Sequence, residues 1–138
     1  MDRTSGGSAR LFLLAGTVLG GLGVALGAFG AHGLKKVLDA RLFEVYETAL
    51  LYQFLHAFAL LIAGLWLRQG GPASILRLAG WSWLAGVTLF SGSLYLYVAT
   101  GVHWLAFITP VGGTLFILGW IAAARAAWKH TPPTRPIP

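Results

Sequence analysis

Four long stretches of this chain contain no Asp, Glu, Lys or Arg. They run from about Leu11 to Ala31, Ala49 to Leu67, Leu78 to Thr100 and Trp104 to Ala124. A bilayer core about 30 Å thick is crossed by about 20 helical residues. Backbone in hydrocarbon must satisfy its own hydrogen bonds, and an α-helix does so within one segment. The predicted fold is therefore all-α: an integral membrane four-helix bundle. It occupies residues 1–130 as a single four-span domain, followed by a tail over 131–138.

Composition excludes the main competitors. Charged residues make up 10% of the chain and hydrophobic residues 57%, whereas an ordinary soluble domain carries about 25% charged residues. Such a chain has too few charges to clothe a water-soluble enzyme and too much apolar content to be disordered. It has no cysteine, hence no disulfide framework, thiolate metal site or cysteine nucleophile. Arg3 and Arg10 precede the first run as they would in a signal peptide. That run exceeds the usual apolar stretch of a signal peptide and three more follow, so it is read as an uncleaved helix. Gly20-Gly21-Leu22-Gly23 lacks the frame of a dinucleotide loop and follows no strand.

The net charge of +6 marks topology. Cations collect on the cytoplasmic side of membrane helices. Arg3, Arg10, Arg68, Arg77, Arg125, Lys129 and Arg135 fall on one side, and Lys35, Lys36 and Arg41 on the other. Both termini are expected in the cytoplasm. Trp66, Trp81 and Trp128 are expected near the inner interface, and Tyr46, Tyr52, Tyr97 and Trp104 near the outer one. Between the first two spans, Leu34, Leu38, Leu42 and Val45 recur at three- and four-residue steps beside Asp39, Glu44 and Glu47. This pattern predicts a short amphipathic helix lying in the outer interface. Pro132, Pro133, Pro136 and Pro138 keep the tail from continuing a helix.

Lipid tails are as apolar as leucine, so helices in a membrane associate through close packing of small residues. The first span carries Gly16, Gly20, Gly23, Gly27 and Gly30, at steps of four, three, four and three. The second carries Ala49, His56 and Ala63. The third carries Ala79, Gly86, Ser93 and Thr100, and the fourth Thr109, Gly112, Gly119 and Ala126. These seams predict a left-handed bundle.

Polar residues gather on the same seams. Counted from the span ends, His56, Ser93 and Thr109 share a level roughly 8–10 Å below the outer edge. Ser91 lies slightly deeper, His32 sits at the mouth of the first span, and Gln53 and Tyr52 lie within one turn of His56. An ionisable residue inside a membrane is a candidate site by default. One reading has His56 pin helix register through hydrogen bonds. The other has it line a pocket for a quinone, lipid headgroup, haem or metal. No His-x3-His pair offers a metal site on one helix, and none is expected. Haem between His32 and His56 requires both at one height. No carboxylate pair or nucleophile motif points to catalysis. The absence of acids inside the spans argues against ion-coupled transport.

The segments Gly27-Ala28-Phe29-Gly30-Ala31-His32-Gly33-Leu34, Tyr52-Gln53-Phe54-Leu55-His56-Ala57, Leu89-Phe90-Ser91-Gly92-Ser93-Leu94-Tyr95, Thr109-Pro110-Val111-Gly112-Gly113 and Gly119-Trp120 resemble, in order and spacing, the family called domain of unknown function 423. That family comprises small bacterial inner-membrane proteins and a eukaryotic relative, transmembrane protein 256. The likeness covers about residues 11–124. It implies a small multi-span inner-membrane protein and brings no catalytic roles.

The expected function is that of a non-enzymatic accessory or assembly subunit of a membrane complex. The alternative is a lipid- or quinone-binding module with a polar pocket near the outer face, and the third reading a haem-bearing redox subunit. No resident cofactor is expected. The expected partners are membrane lipids and other membrane subunits or further copies of the chain. The cations form no basic stripe with interleaved aromatics, so nucleic acid is not expected.

Overall fold

A computed structural model describes residues 3–129, with side chains from residue 6 onward. The proline-rich tail and His130 lie outside the described residues. Four helices follow one another: α1 (Arg3–His32), α2 (Ala40–Arg68), α3 (Ala73–Thr100) and α4 (Thr109–Lys129). All four are long and apolar enough to cross a membrane. Short turns join them, so neighbours run antiparallel and both ends of the described chain lie at the same end of the bundle.

The helices are longer than the apolar runs, because charged and capping residues extend them past the hydrocarbon. Asp39 caps α2, its carboxylate accepting the Leu42 N–H at 2.9 Å, as N-cap acids do. The segment after it is not a separate interfacial helix, which corrects the expectation from sequence. A single 3₁₀ turn (Leu34–Lys36) precedes the cap, and residues 40–48 form the first turns of α2 itself. The reason is phase. Tyr46, Ala49, Gln53, His56, Leu60, Ala63 and Leu67 are all buried, at alternating steps of three and four. No break in that stripe calls for a second helix.

At the far end, Gly70 adopts φ 83° in the turn to α3. Gly101, at φ 69°, closes α3 with its N–H on the Tyr97 carbonyl at 2.8 Å. Both conformations favour glycine. Residues His103–Phe107 form a 3₁₀ segment, and α4 begins at Thr109 rather than near Trp104. Pro110 then falls in the first helical turn, where its missing N–H costs nothing.

Helices α2 and α3 form the middle of the bundle. α1 packs on α2, α4 packs on α3, and α1 and α4 do not meet. Glycines set the approach. An added Cβ at Gly16, Gly23 or Gly30 would come within 2.7, 2.7 and 2.5 Å of Ala57, Phe54 and Tyr46 of α2. Gly27 adds an ordinary contact with Leu50, whereas Gly20 has open space around it. The seam therefore runs at sevens, with Gly20 off it. Between α3 and α4, Gly86 receives Phe116, Gly112 meets the Phe90 backbone and Gly119 receives the Trp83 ring. Gly64 and Gly80, unmarked by the periodic reading, take Leu13 and Phe12 of α1. Elsewhere the surface is apolar: Val18, Val24, Phe58, Ile62, Leu78 and Ile117 are all more than half exposed, as lipid-facing residues are.

Candidate functional site

Among the described residues, the buried polar side chains are Gln53, His56, Ser82, Ser91 and Ser93. α2 places His56 toward α4. Its Nδ1 lies 2.8 Å from the Tyr52 carbonyl, which can only accept. The Trp120 indole N–H donates to its Nε2 at 3.2 Å. Both bonds hold together only with the proton on Nδ1, so the geometry fixes one neutral tautomer. The ring stacks on Phe116, with centroids 3.6 Å apart and planes 7° from parallel. Trp83 and Trp120 pack beside it, 4.9 Å apart. Tyr52, Phe90 and Phe116 complete an aromatic cluster among α2, α3 and α4. The indole Nε1 of Trp83 is buried without a hydrogen-bond partner.

Gln53 faces the other way, toward α1. Its amide donates to the Leu19 carbonyl at 2.8 Å, and its oxygen accepts the Tyr95 hydroxyl at 2.8 Å. Ser91 donates to the Ala49 carbonyl at 2.7 Å, tying α3 to α2. Ser93 and Thr109 share a hydrogen bond of 2.7 Å between α3 and α4. Tyr46 donates to the Leu26 carbonyl of α1. Tyr46 is buried and Tyr52 half-buried within the core, so neither stands in the outer aromatic belt that the sequence suggested.

The sequence-derived residues thus do not share one pocket: Gln53 and Ser91 border the α1 side, while His56 and the Ser93–Thr109 pair face α4 at different levels. Ser91 is level with Ala49, and His56 lies seven residues deeper along α2 while Ser93 lies two residues outward along α3. At 1.5 Å per residue, His56 sits about 13 Å below the Ser93–Thr109 pair. The shared level of His56, Ser93 and Thr109 is corrected accordingly. Its premise, that the second span starts at Ala49 and the fourth at Trp104, fails because α2 reaches back to Ala40 and α4 starts at Thr109.

His32 stands exposed at the end of α1. Gly30 is level with Tyr46. His32 is therefore twelve residues from His56 along the bundle axis, about 18 Å. One haem iron cannot bind both, which removes the haem reading as posed. Sequence reasoning missed Tyr95, Trp83, Trp120 and Phe116. For Trp83 and Trp120 the available signal was an indole placed mid-helix, far from either interface; nothing comparable marked Tyr95, near the end of α3, or Phe116.

A pattern described as a protein of unknown function, DUF423, matches residues 26–113. A UPF0382 membrane protein of Staphylococcus aureus (strain bovine RF122) is 44% identical over 121 residues, covering 87% of this chain and 97% of the relative. The UPF0382 membrane protein YwdK of Bacillus subtilis (strain 168) is 37% identical over 121 residues, covering 88% and 98%. A UPF0382 membrane protein of Haemophilus influenzae (strain ATCC 51907 / DSM 11121 / KW20 / Rd) is 43% identical over 106 residues, covering 77% and 84%. No solved structure matches the chain. With the DUF423 pattern over most of its length and bacterial relatives this similar from end to end, the chain belongs to the DUF423 family of membrane proteins of unknown function.

Proposed function

We propose that the chain is a non-enzymatic accessory or assembly subunit of a complex in the bacterial inner membrane, with both termini in the cytoplasm. The observation that carries this reading is the bareness of α1. In its most apolar stretch 17% of residues are buried, against 44% in α2. Gly20 and Gly21 there have no neighbour within 4 Å of an added Cβ. Glycines facing lipid contribute little packing, whereas against another helix they allow close backbone approach. The buried interior supports the same view. Gln53, His56, Ser91 and Ser93 all spend hydrogen bonds within the protein, which leaves no cluster poised for chemistry. The side assignment rests on Arg10, Arg68, Arg77, Arg125 and Lys129 lying at the end that holds both termini.

The test is native mass spectrometry of the tagged protein, expressed at its native level and released from membranes in mild detergent. The expected result is a defined assembly with another membrane subunit or with further copies of the chain. Gly21→Leu is expected to dissolve that assembly without lowering the melting temperature. Recovery of the lone chain, with no assembly to dissolve, overturns the proposal.

A further inference from the structure

The gap between α1 and α3 is shaped like the lipid that surrounds it. At the end nearest the termini the two helices touch. The Phe12 ring sits at Gly80, where a Cβ would come within 2.3 Å of it, and meets Trp81 edge-on at 5.9 Å. From that pivot to the other end, α1 leans on α2 through Gly16, Gly23 and Gly30, and the space beside α3 opens. A hollow of about 290 Å³ is lined by Leu19, Leu22, Gln53, Ser91 and Gly92. Leu26 and Tyr95 line both this hollow and a second one of about 460 Å³, which continues past Phe29, Leu38 and Val98. From Val87 to Ala99 the cleft spans twelve residues, about 18 Å. Half a bilayer core is about 15 Å. Across Leu38 lies a third hollow, of about 430 Å³, bordered by Lys35, Glu44 and Glu47.

We propose that these three hollows hold one phospholipid of the leaflet at the Lys35 end. One acyl chain runs along the α1/α3 cleft, and an amine-bearing zwitterionic headgroup lies between Lys35 and the Glu44–Glu47 pair. The cleft suits hydrocarbon better than a quinone ring. The hydroxyls of Tyr46, Tyr95, Ser91 and Thr88 are already given to Leu26, Gln53, Ala49 and Leu84, so none is left to hold a quinone carbonyl. The headgroup class follows from charge. Lys35 offers a cation for the phosphate, and Glu44 and Glu47, three residues apart on one face of α2, offer anions for an ammonium. A headgroup with the phosphate but no ammonium would leave the two carboxylates without a counter-charge. This inference needs the bundle to sit in a bilayer but does not need a partner subunit.

The test titrates the purified full-length protein in detergent with equimolar phosphatidylethanolamine and phosphatidylglycerol, read by native mass spectrometry. One phosphatidylethanolamine is expected to be retained, with at least about fivefold preference over phosphatidylglycerol. Gly92→Leu fills the cleft, since nothing lies within 4 Å of an added Cβ there. It is expected to cut retention about tenfold at an unchanged melting temperature. Replacing both Glu44 and Glu47 by Gln is expected to shift the preference toward phosphatidylglycerol while leaving retention in place. Equal retention of the two lipids by the parent protein overturns the headgroup assignment. Parent-level retention by Gly92→Leu, which marks ordinary boundary lipid, overturns the proposal as a whole, as does a co-purifying quinone in place of phospholipid. Should Gly92→Leu fail to fold, Leu22→Trp on the opposite, exposed wall gives the same reading.

Discussion

An imidazole in hydrocarbon must find an acceptor for its N–H and a donor for its lone pair. His56 finds the first one turn back on its own helix, at the Tyr52 carbonyl, and the second across the bundle at the Trp120 indole. Its inward facing was legible in the sequence, because Ala49, His56 and Ala63 recur at sevens and all are buried. Its partner was not. Whether an indole reaches a histidine 64 residues away depends on how far two non-consecutive helices approach, and no local spacing encodes that. Bonds of this kind in membranes average about 0.6 kcal/mol, with a maximum near 1.7. A double-mutant cycle joining His56→Ala and Trp120→Phe should return a coupling energy in that range, read from unfolding in mixed micelles. Additive effects would show that the ring stack with Phe116, and not the hydrogen bond, orients His56.

At the scale of the element, the stripe of small residues on α1 was visible in the sequence, but its register against α2 was not. Five glycines at steps of four and three fit equally a broad contact face or a narrow seam. The choice is made by which bulky side chains of α2 arrive opposite, and these are Leu61, Phe54 and Tyr46. Gly23→Leu would force the Phe54 ring aside and is expected to destabilise the bundle by about 1–3 kcal/mol. Gly20→Leu, with open space around it, should change stability by less than about 0.5 kcal/mol. Thermal melts of the two variants side by side decide the matter, and equal losses would contradict a seam at sevens. The start of α2 shows the converse problem. Leu34, Leu38, Leu42 and Val45 carry a helical period, but periodicity alone does not say whether a helix lies along an interface or enters it. The buried stripe running on from Tyr46 settles the direction. Spin labels placed singly along residues 40–48 should report depth increasing by about 1.5 Å per residue on average. Constant depth along that stretch would restore a helix lying flat in the interface.

For the whole molecule, the number of crossings was the most legible property of the sequence and the helix ends the least. Hydropathy counts apolar runs, and Asp39, Gly70, Gly101 and Pro110 punctuate them. Yet a helix continues past the hydrocarbon for as long as its hydrogen bonds and caps allow, and every depth counted from a run's edge inherits that error. Four antiparallel crossings nevertheless fix which loops share a side. Gln69 and Lys129 lie at the end that holds the termini, and Val37 and Val102 at the other. Because the chain has no cysteine, each can be replaced singly by one and labelled without background. Gln69→Cys and Lys129→Cys should react with a membrane-impermeant maleimide only after cells are permeabilised. Val37→Cys and Val102→Cys should react in intact cells. The opposite pattern would invert the orientation that the cation count predicts, moving the Lys35–Glu44–Glu47 hollow to the cytoplasmic leaflet. Labelling of Gln69→Cys and Lys129→Cys from opposite sides would rule out the antiparallel α3–α4 pair, and with it the Gly86, Gly112 and Gly119 contacts on which the bundle closes.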